Sequence, residues 1–381
     1  MSQAELPQTL DVAIIGGGMS GTAIAFALKE KGISNIQIFD VAEEGKESHW
    51  LFSARMKTLR SGKNHTGPAL GHSNLEFHAW YESRYGEEEW NKLDKIPTLL
   101  WGEYLYWLRK TLDLPVVNGE RLKSILPCPD NSLELVFDKG KKVHARKVVL
   151  ATGRGGYGGF EIPSFVQALS KETWAHTGEM IDPGFFSGKR ICVIGCGASA
   201  FDTAAVALET GAKQVTMLMR RREFSYSNPL YLGFGRNYYG IGDERCRLFE
   251  TAWHIGFRPP PEAFARVEGY PNFEIIPETM IDNITMTGEE LCIKTNRGVI
   301  DTDFIVLATG YGVDGSLQPE LSQCYDQIQL WKERVPDLLP KLGRFPYLGP
   351  HFEFLEKKGS SAPYLKHIYC FNFGAFLSHG R

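Results

Sequence analysis

The segment of residues 11–21, DVAIIGGGMSG, constrains the fold of this chain more than any other stretch. A short apolar run enters Gly16, Gly18 and Gly21, which stand in G-x-G-x-x-G spacing, and a helix-like run follows over residues 22–31. Glycines at these positions let the backbone turn sharply and approach a pyrophosphate, whose charge the free amides of the helix N-terminus then meet. The segment therefore predicts the phosphate-binding turn of a dinucleotide-binding α/β module.

A second apolar run, residues 36–39, supports this interpretation because it ends in an acid. Asp40 lies about 20 residues beyond the glycines, where such modules place the carboxylate that binds a ribose hydroxyl. The alternative is a glycine-rich turn in another kind of α/β protein. We expect these residues to contact the dinucleotide: Gly16, Gly18, Ser20, Gly21 and Asp40.

The same plan recurs from residue 189 onward. An apolar run enters a G-x-G-x-x-A turn at residues 195–200, a helix-like run follows, and a further strand ends at residue 219. Arginines occupy residues 220–222, where the first copy has its acid. Because arginines bind a 2′-phosphate through bidentate charged hydrogen bonds, this copy suits NADP better than NAD, unless the triplet is only a solvated turn. The expected contacts are Gly195, Gly197, Ser199, Ala200, Arg220 and Arg221.

Each copy later closes on an apolar strand that ends in Ala-Thr-Gly, at residues 151–153 and at residues 308–310. Repetition on this scale predicts two dinucleotide-binding modules. We therefore expect an α/β protein with two Rossmann-like three-layer domains. The residues that follow these closing strands, which we call the strand returns, add three expected cofactor contacts: Thr152, Thr309 and Tyr311.

Composition excludes several other classes of protein. The chain has 381 residues, a hydrophobic fraction of 43% and a net charge of −3, which suits two globular domains. It has no basic stripe that would imply a nucleic-acid partner, no apolar run of the roughly 18–20 residues that span a membrane, and no signal-peptide pattern at its start. We therefore expect a cytoplasmic protein, and the sequence leaves its oligomeric state open, a homo-oligomer included.

Cysteines and histidines give no sign of a metal centre or a disulfide framework. The seven cysteines are scattered without a C-x-x-C pair. His65, His72 and His78 lie in one stretch but follow no regular ligand spacing. No metal site is predicted.

The segment of residues 50–71 follows the second strand of the first module and mixes cations, small residues and hydroxyls. It has little helix or strand periodicity, so it predicts an ordered loop, the usual carrier of function on a rigid scaffold. A surface connection with solvated charges is the alternative.

Four features together resemble the class B flavoprotein monooxygenases, the group of N-hydroxylating, Baeyer–Villiger and flavin-containing enzymes. They are the first glycine motif at the N-terminus, the second at Gly195, the arginine triplet, and the element DFIVLATGY at residues 303–311, which matches a D-x-x-x-L/F-A-T-G-Y pattern of N-hydroxylating members. The Baeyer–Villiger fingerprint is only faintly echoed around His176. The disulfide reductases share the two modules but need a redox cysteine pair, which this chain lacks.

The resemblance implies that the first module binds FAD and the second NADPH. The NADPH domain, residues 161–310, is then inserted in an FAD domain made of residues 1–160 and 311–381. In related proteins the loop after the second strand passes the flavin ring. The resemblance therefore implies cofactor contacts for Trp50, Met56, Leu59 and Arg60, and catalytic roles for Lys63 and Asn64.

The function implied by the resemblance is an NADPH-dependent monooxygenase. NADPH would reduce FAD, reduced flavin would take up O2 as a C4a-(hydro)peroxyflavin, and a small nucleophile, in first place an amine, would be oxygenated by N-hydroxylation. Two alternatives stay open: an FAD-dependent NAD(P)H dehydrogenase or oxidase that passes electrons to another acceptor, and a non-enzymatic flavin redox sensor. The chain stops where its last glycine turn would feed another helix, so we expect a shortened C-terminus.

Overall fold

The computed structural model describes residues 9–51, 53–64, 67–223, 238–255, 259–288 and 290–380; His65 lies outside them. The strands are β1 (Leu10–Ile15), β2 (Ile36–Phe39), β3 (Val116–Val117), β4 (Leu122–Pro127), β5 (Leu133–Phe137), β6 (Lys142–Leu150), β7 (Gly158–Phe160), β8 (Trp174–His176), β9 (Arg190–Ile194), β10 (Gln214–Leu218), β11 (Phe273–Ile276), β12 (Ile281–Thr287), β13 (Glu290–Thr295), β14 (Gly298–Thr302), β15 (Phe304–Leu307), β16 (Tyr311–Val313) and β17 (Ile368–Cys370). The helices are α1 (Met19–Glu30), α2 (Phe77–Tyr85), α3 (Glu87–Lys92), α4 (Thr98–Thr111), α5 (Ala198–Glu209), α6 (Arg245–Ile255), α7 (Pro261–Ala265), α8 (Trp331–Arg334) and α9 (Phe376–His379).

The first sheet has the strand order β3-β2-β1-β6-β5-β4, with β17 added beside β6. Strands β1, β2 and β3 pair in parallel, as do β1 with β6 and β17 with β6, whereas β4, β5 and β6 form an antiparallel meander. The buried faces of these strands supply much of the largest apolar core. The carboxyl ends of β1, β6 and β17 meet at one edge, which is where open α/β sheets bind ligands.

The second sheet is fully parallel, with the order β11-β10-β9-β15-β8. Helix α5 covers one of its faces through a core rich in alanine, since small side chains let the helix approach the strands. The antiparallel strands β12, β13 and β14 form a separate sheet. All strands of the second sheet lie in the chain between β6 and β17, which confirms the predicted α/β class with one Rossmann-like domain inserted in another.

The chain passes between the two sheets at two places that lie side by side. Strand β7 follows the first sheet, β16 follows the second, and the two pair antiparallel from Tyr311 opposite Phe160 to Val313 opposite Gly158. The predicted domain bounds at residues 160 and 310 fall at this ribbon, and they stay a prediction.

The first glycine of each motif packs its backbone against the strand return of the same module. A Cβ atom on Gly16 would lie 2.4 Å from the Ala151 carbonyl oxygen, and a Cβ atom on Gly195 would lie 2.4 Å from the Ala308 carbonyl oxygen. Both glycines also have positive φ, of 106° and 130°. Only glycine meets both conditions without strain, which explains the residue type at the two positions.

Helices α2, α3 and α4 form a cluster of aromatic side chains beside the first sheet. Phe77, Trp80, Trp90, Trp101 and Tyr104 are buried in it, as their near-helical spacing suggests. This cluster supports the loop of residues 53–64, because Leu59 is buried in the same cluster and its amide donates to the Ile96 carbonyl.

Strand β4 and helix α6 are two of the elements that were not predicted from the sequence. Strand β4 carries Lys123, Ser124 and Pro127 between its apolar residues, so its period is weak, and its pairing with β5 makes it a strand. Helix α6 has a mixed sequence and is held by Phe249, which packs against Phe345 and Phe376 far along the chain. Among the described residues, no helix is long and apolar enough to cross a membrane.

Replacement of Gly21 by alanine tests the tight glycine turn. A Cβ atom there would lie 1.9 Å from the Gly16 carbonyl oxygen, so the turn must open. We expect the free energy of unfolding in urea to fall by about 1–3 kcal/mol, the usual cost of overpacking. Gly240→Ala is the matched control, because a Cβ at Gly240 meets nothing within 4 Å. Equal stability of the two variants would contradict this account.

Candidate functional site

The carboxylate of Asp40 is fixed beside the first glycine turn. The Gly17 amide donates to its Oδ2 at 2.6 Å and the Ala42 amide to its Oδ1 at 2.7 Å. Burial raises the pKa of Asp40, and the two backbone hydrogen bonds oppose that rise. Each carboxylate oxygen keeps lone-pair capacity for a further donor, so Asp40 can accept a ribose hydroxyl.

A buried ion pair between Arg109 and Glu47 supports the same turn. Arg109 of α4 donates from Nη1 to the Gly17 carbonyl at 3.1 Å and from Nη2 to Glu47 Oε2. Glu47 Oε1 accepts from the Gly45 amide at 3.1 Å and from Asn118 Nδ2 at 3.0 Å. Arg109 and Glu47 are 4% and 9% exposed, so solvent screens this pair little. The pair ties α4 and the segment after β2 to the glycine turn.

The first turn of α1 lies at the carboxyl end of β1 and is open to a ligand. Gly18 is its N-cap residue, no side chain of the described segments caps it, and Ser20 is exposed. Beside it, Thr152 Oγ1 accepts from Asn372 Nδ2 at 3.0 Å, which joins the ends of β6 and β17. Uncapped amides, a close glycine backbone and a fixed acid are the features that an ADP group requires, so these residues fit FAD.

The second glycine turn repeats this arrangement without the acid. Gly197 is the N-cap of α5 and, within the described chain, no side chain caps the helix. Ser199 and Ala200 lie in its first turn, with Ser199 exposed and Ala200 buried. The side chains of Arg220 and Arg221 are exposed and donate to no acceptor among the described residues, and their charges lower the pKa of Cys196 in the turn, against the larger effect of burial, which raises it. Cations at this place fit the 2′-phosphate of NADPH.

The predicted functional loop follows β2 and packs against the aromatic cluster of α2, α3 and α4. It contains one short 3-10 turn at 49–51, and residues 53–64 and 67–71 form no helix. The ring of Trp50 packs on His49 with centroids 4.1 Å apart. Met56 is half-buried, whereas Leu59 is only 6% exposed and faces the aromatic cluster.

Arginines attach this loop to the second module. Arg55 donates to the Thr177 carbonyl at 2.6 Å and to the Glu179 carbonyl at 3.0 Å. Arg60 pairs with Asp202 of α5 at 2.5 Å, and Arg266 pairs with the other oxygen of Asp202 at 3.3 Å. Burial raises the pKa of Asp202, and the charges of Arg60 and Arg266 oppose that rise. The loop is therefore held between the two modules.

Lys63 and Asn64 lie further along the loop, against the end of α3. Lys63 Nζ donates to the Trp90 carbonyl at 2.8 Å and lies 4.7 Å from the centroid of the Trp90 ring. Asn64 is exposed. Together with residues 91–94 they line an open depression. These contacts place the two residues beside α3, and their catalytic roles stay a prediction.

The strand returns bring a different set of side chains together. Arg154 lies over the rings of Tyr311 and Phe373, with its Cζ 5.6 and 5.7 Å from their centroids. His49 is near enough for the charge of Arg154 to lower its pKa, which desolvation, the larger cause, brings to about 4. His49 and Arg154 are both exposed, and with Tyr311 and Phe373 they border the place that we call the recess. Thr309 lies two residues before Tyr311 in the chain, and its Oγ1 donates to the Glu161 carbonyl at 2.5 Å.

Sequence analysis did not identify His49, Arg154, Arg109 or Glu47. The position of Arg154, directly after the first Ala-Thr-Gly, was the available signal for one of them. The pairing of Arg109 with Glu47 had no signal, because 61 residues separate the two in the chain and only packing of α4 on the first sheet unites them.

Comparison with known proteins supports a flavoprotein. Residues 13–231 match the family model described as pyridine nucleotide-disulphide oxidoreductase. An FAD-dependent urate hydroxylase of Xanthomonas campestris pv. campestris is 33% identical over 97% of this chain and 80% of its own length. The fold is similar to that of ornithine hydroxylase from Pseudomonas aeruginosa, with a TM-score of 0.74, 17% identity and coverage of 98% and 94% of the two chains. For L-lysine 6-monooxygenase from Pseudomonas syringae the TM-score is 0.71, with 17% identity and coverage of 95% and 91%.

Disulfide chemistry does not follow from the name of the matching family. All seven cysteines are free thiols in the structure. Burial raises the pKa of the Cys192, Cys324 and Cys370 thiols to about 12, which removes the reactive thiolate at neutral pH.

Replacement of Arg109 by methionine tests the ion pair below the first glycine turn. The change leaves Glu47 charged and buried without its partner, so we expect a loss of about 3–5 kcal/mol in the free energy of unfolding. Adding Glu47→Gln should recover part of that loss. The exposed pair Lys46–Glu43 offers the control, since Lys46→Met should leave stability unchanged. A mild effect of Arg109→Met, equal to that of the control, would refute the supporting role.

A buried histidine predicts a loss of stability in acid. His176 is fully buried, its Nδ1 accepts from the Gly178 amide at 3.0 Å, and burial lowers its pKa to about 4. The unfolded chain therefore binds the extra proton from about pH 6.5 downward, and stability falls by at most about 3 kcal/mol as the pH drops to about 4. Urea titrations at several pH values should show a flatter profile for His176→Gln than for the exposed control His78→Gln. Parallel profiles would contradict the prediction.

Proposed function

This chain belongs to the pyridine nucleotide-disulphide oxidoreductase family and, within it, to the class B flavin monooxygenases, and from that premise we propose that it hydroxylates a small planar nitrogen heterocycle of the urate type. The enzyme class and the cofactors predicted from the sequence are confirmed: it is an FAD-dependent NADPH monooxygenase. The substrate is the new element of the proposal.

FAD, when reduced by NADPH, supplies the activation of O2, and the chain supplies binding, orientation and exclusion of water. We propose that residues 1–160 and 311–381 bind FAD through Asp40 and the uncapped first turn of α1. Residues 161–310 would bind NADPH through the first turn of α5 and the arginines that follow β10. The return of β17 to the first sheet supports this division.

The similarity to the urate hydroxylase carries the substrate proposal. It extends over 97% of this chain at 33% identity, whereas the lysine and ornithine enzymes share 17% and are alike in fold alone. The positive charge of the recess also favours a substrate of the urate type. The guanidinium of Arg154 lies there without an acceptor among the described residues, the charge of Arg60 acts on Arg154, and the charge of Arg55 acts on Tyr311. A neutral or anionic heterocycle suits these cations better than a protonated amine does.

N-hydroxylation of an amine is the second candidate. The element of residues 303–311 favours it, since it has the pattern of N-hydroxylating members. In the structure its first residue, Asp303, binds Arg190 through Nε at 3.1 Å and the Arg190 amide at 2.8 Å. That contact fixes the start of β15 rather than a substrate, so the element supports the fold of this class more than a particular substrate.

Turnover in the presence of substrate tests the proposal. Purified holoprotein is mixed with NADPH in air, and NADPH, O2 and peroxide are followed with urate, L-lysine, L-ornithine or no addition. We expect urate to accelerate NADPH oxidation and to be consumed in equal amount, with little peroxide. Acceleration by the amines alone would favour N-hydroxylation. Full recovery of electrons as peroxide with every compound would instead indicate an oxidase.

The predicted catalytic residues need their own variants. Lys63→Met and Asn64→Ala should lower kcat for oxygenation while leaving the flavin content unchanged, if these side chains act near the flavin. An unchanged kcat in both variants would show that neither side chain acts in oxygenation, and would refute the predicted role.

The arginine triplet predicts the choice of nicotinamide cofactor. Replacing Arg220 and Arg221 with glutamine removes the charged donors for the 2′-phosphate, so we expect the KM for NADPH to rise about 10- to 100-fold, the usual worth of charged hydrogen bonds. The KM for NADH should change little. Arg146→Gln is the control, since Arg146 lies on β6 of the first sheet with a side chain 74% exposed. A similar rise for both cofactors would show that the arginines do not recognise the phosphate.

A further inference from the structure

Arg154 stands where three strand returns meet. It follows β6 after the turn at Gly153, whose φ is 72°. Tyr311 opens β16 after the second Ala-Thr-Gly, and Phe373 lies just beyond β17. The guanidinium packs against both rings, at 5.6 and 5.7 Å from their centroids. This places a cation and two aromatic walls at the carboxyl edge of the first sheet, where ligands bind in open α/β sheets.

The guanidinium of Arg154 has no acceptor among the residues that the structure describes, unlike the guanidinium groups of Arg55, Arg60 and Arg109. Arg55 donates to two carbonyls, Arg60 pairs with Asp202, and Arg109 pairs with Glu47. Desolvation lowers the pKa of Arg154, the charge of Arg60 lowers it further, and only Tyr311 opposes. Because Arg154 is exposed, its guanidinium is accessible to an anionic ligand from solvent.

The groups that face Arg154 also restrict what the ligand can be. His49 is uncharged at neutral pH, because its pKa is about 4, so it adds no positive charge and offers a neutral ring. Tyr311 is uncharged too, since burial raises its pKa. No carboxylate of the described chain contacts the guanidinium. The recess thus combines flat apolar walls with the donor edge of one planar cation.

We propose that Arg154, between the rings of Tyr311 and Phe373, binds the anionic edge of a planar heterocyclic substrate, and this rests on the proposed function. A guanidinium presents parallel N–H donors that match two adjacent acceptors of an anion. Urate carries such acceptors and a delocalised negative charge at neutral pH, and its flat ring suits the aromatic walls. A neutral purine of the same shape lacks the charge, so Arg154 sets the specificity for the anion.

Ligand binding to oxidised holoprotein tests this without turnover. The Kd values of urate and of hypoxanthine, an uncharged purine at neutral pH, are measured from the change in flavin absorbance. Arg154→Gln should weaken urate binding about 10- to 100-fold, as expected for loss of hydrogen bonds from a charged group, and should change hypoxanthine binding little. Arg154→Lys should recover only part of the affinity, because an ammonium lacks the planar fork.

Arg146→Gln is the matched control, because Arg146 lies on the same strand β6 with a side chain 74% exposed. Flavin content and melting temperature of each variant report folding. If Arg154→Gln loses FAD or raises the KM for NADPH while urate binding is unchanged, Arg154 serves a cofactor and the proposal is overturned. It is also overturned if wild-type protein binds neither probe, or binds both equally.

The same data separate this proposal from the proposed function. Arg154-dependent urate binding without urate oxygenation would refute urate hydroxylation and leave the anion site in place. Urate oxygenation with a Kd for urate that Arg154→Gln does not change would refute the anion site at Arg154 and leave urate hydroxylation in place.

Discussion

The close approach of a glycine to a strand-return carbonyl determines how both modules are built. Gly16 packs against Ala151, and Gly195 packs against Ala308, in both cases with a virtual Cβ contact of 2.4 Å. The backbone bonds around them also match, since the Gly16 amide donates to Phe39 and the Gly195 amide to Leu218. This packing brings the first turn of a helix beside the strand return, and so creates each dinucleotide site. The acid after β2 and the arginines after β10 distinguish the two turns, and under the proposed function they would bind FAD and NADPH respectively.

Ion pairs and hydrogen bonds between the modules hold the loop that borders the site. The loop of residues 53–64 is tied to the second module by Arg55 and Arg60, and Asp202 is the acid to which Arg60 and Arg266 converge. With those cations engaged, Arg154 is left facing the recess. The same contacts thus fix the loop between the modules and leave a cation for a ligand, which links the fold to the proposed choice of an anionic substrate.

The sequence was sufficient for the fold and for the two glycine turns, because these depend on local patterns. Glycine spacing, strand ends and the contrast between Asp40 and the arginines at 220–222 are all readable within short windows. The recess was not predictable in this way. Arg154, Tyr311 and Phe373 are brought together by three strand ends spread over more than half the chain, and the free state of the guanidinium depends on where neighbouring charges lie. Lys63 and Asn64 were chosen by position in the loop, yet packing on α3 determines where the loop carries them.

The most direct test of the account is the fate of oxygen atoms during turnover. Holoprotein is supplied with NADPH, urate and isotopically heavy oxygen gas, and the product is analysed by mass spectrometry. We predict a hydroxylated product that carries one heavy oxygen atom for each NADPH consumed. Heavy oxygen found only in peroxide, with urate recovered unchanged, would contradict the assignment of urate as substrate and of oxygen transfer as the reaction.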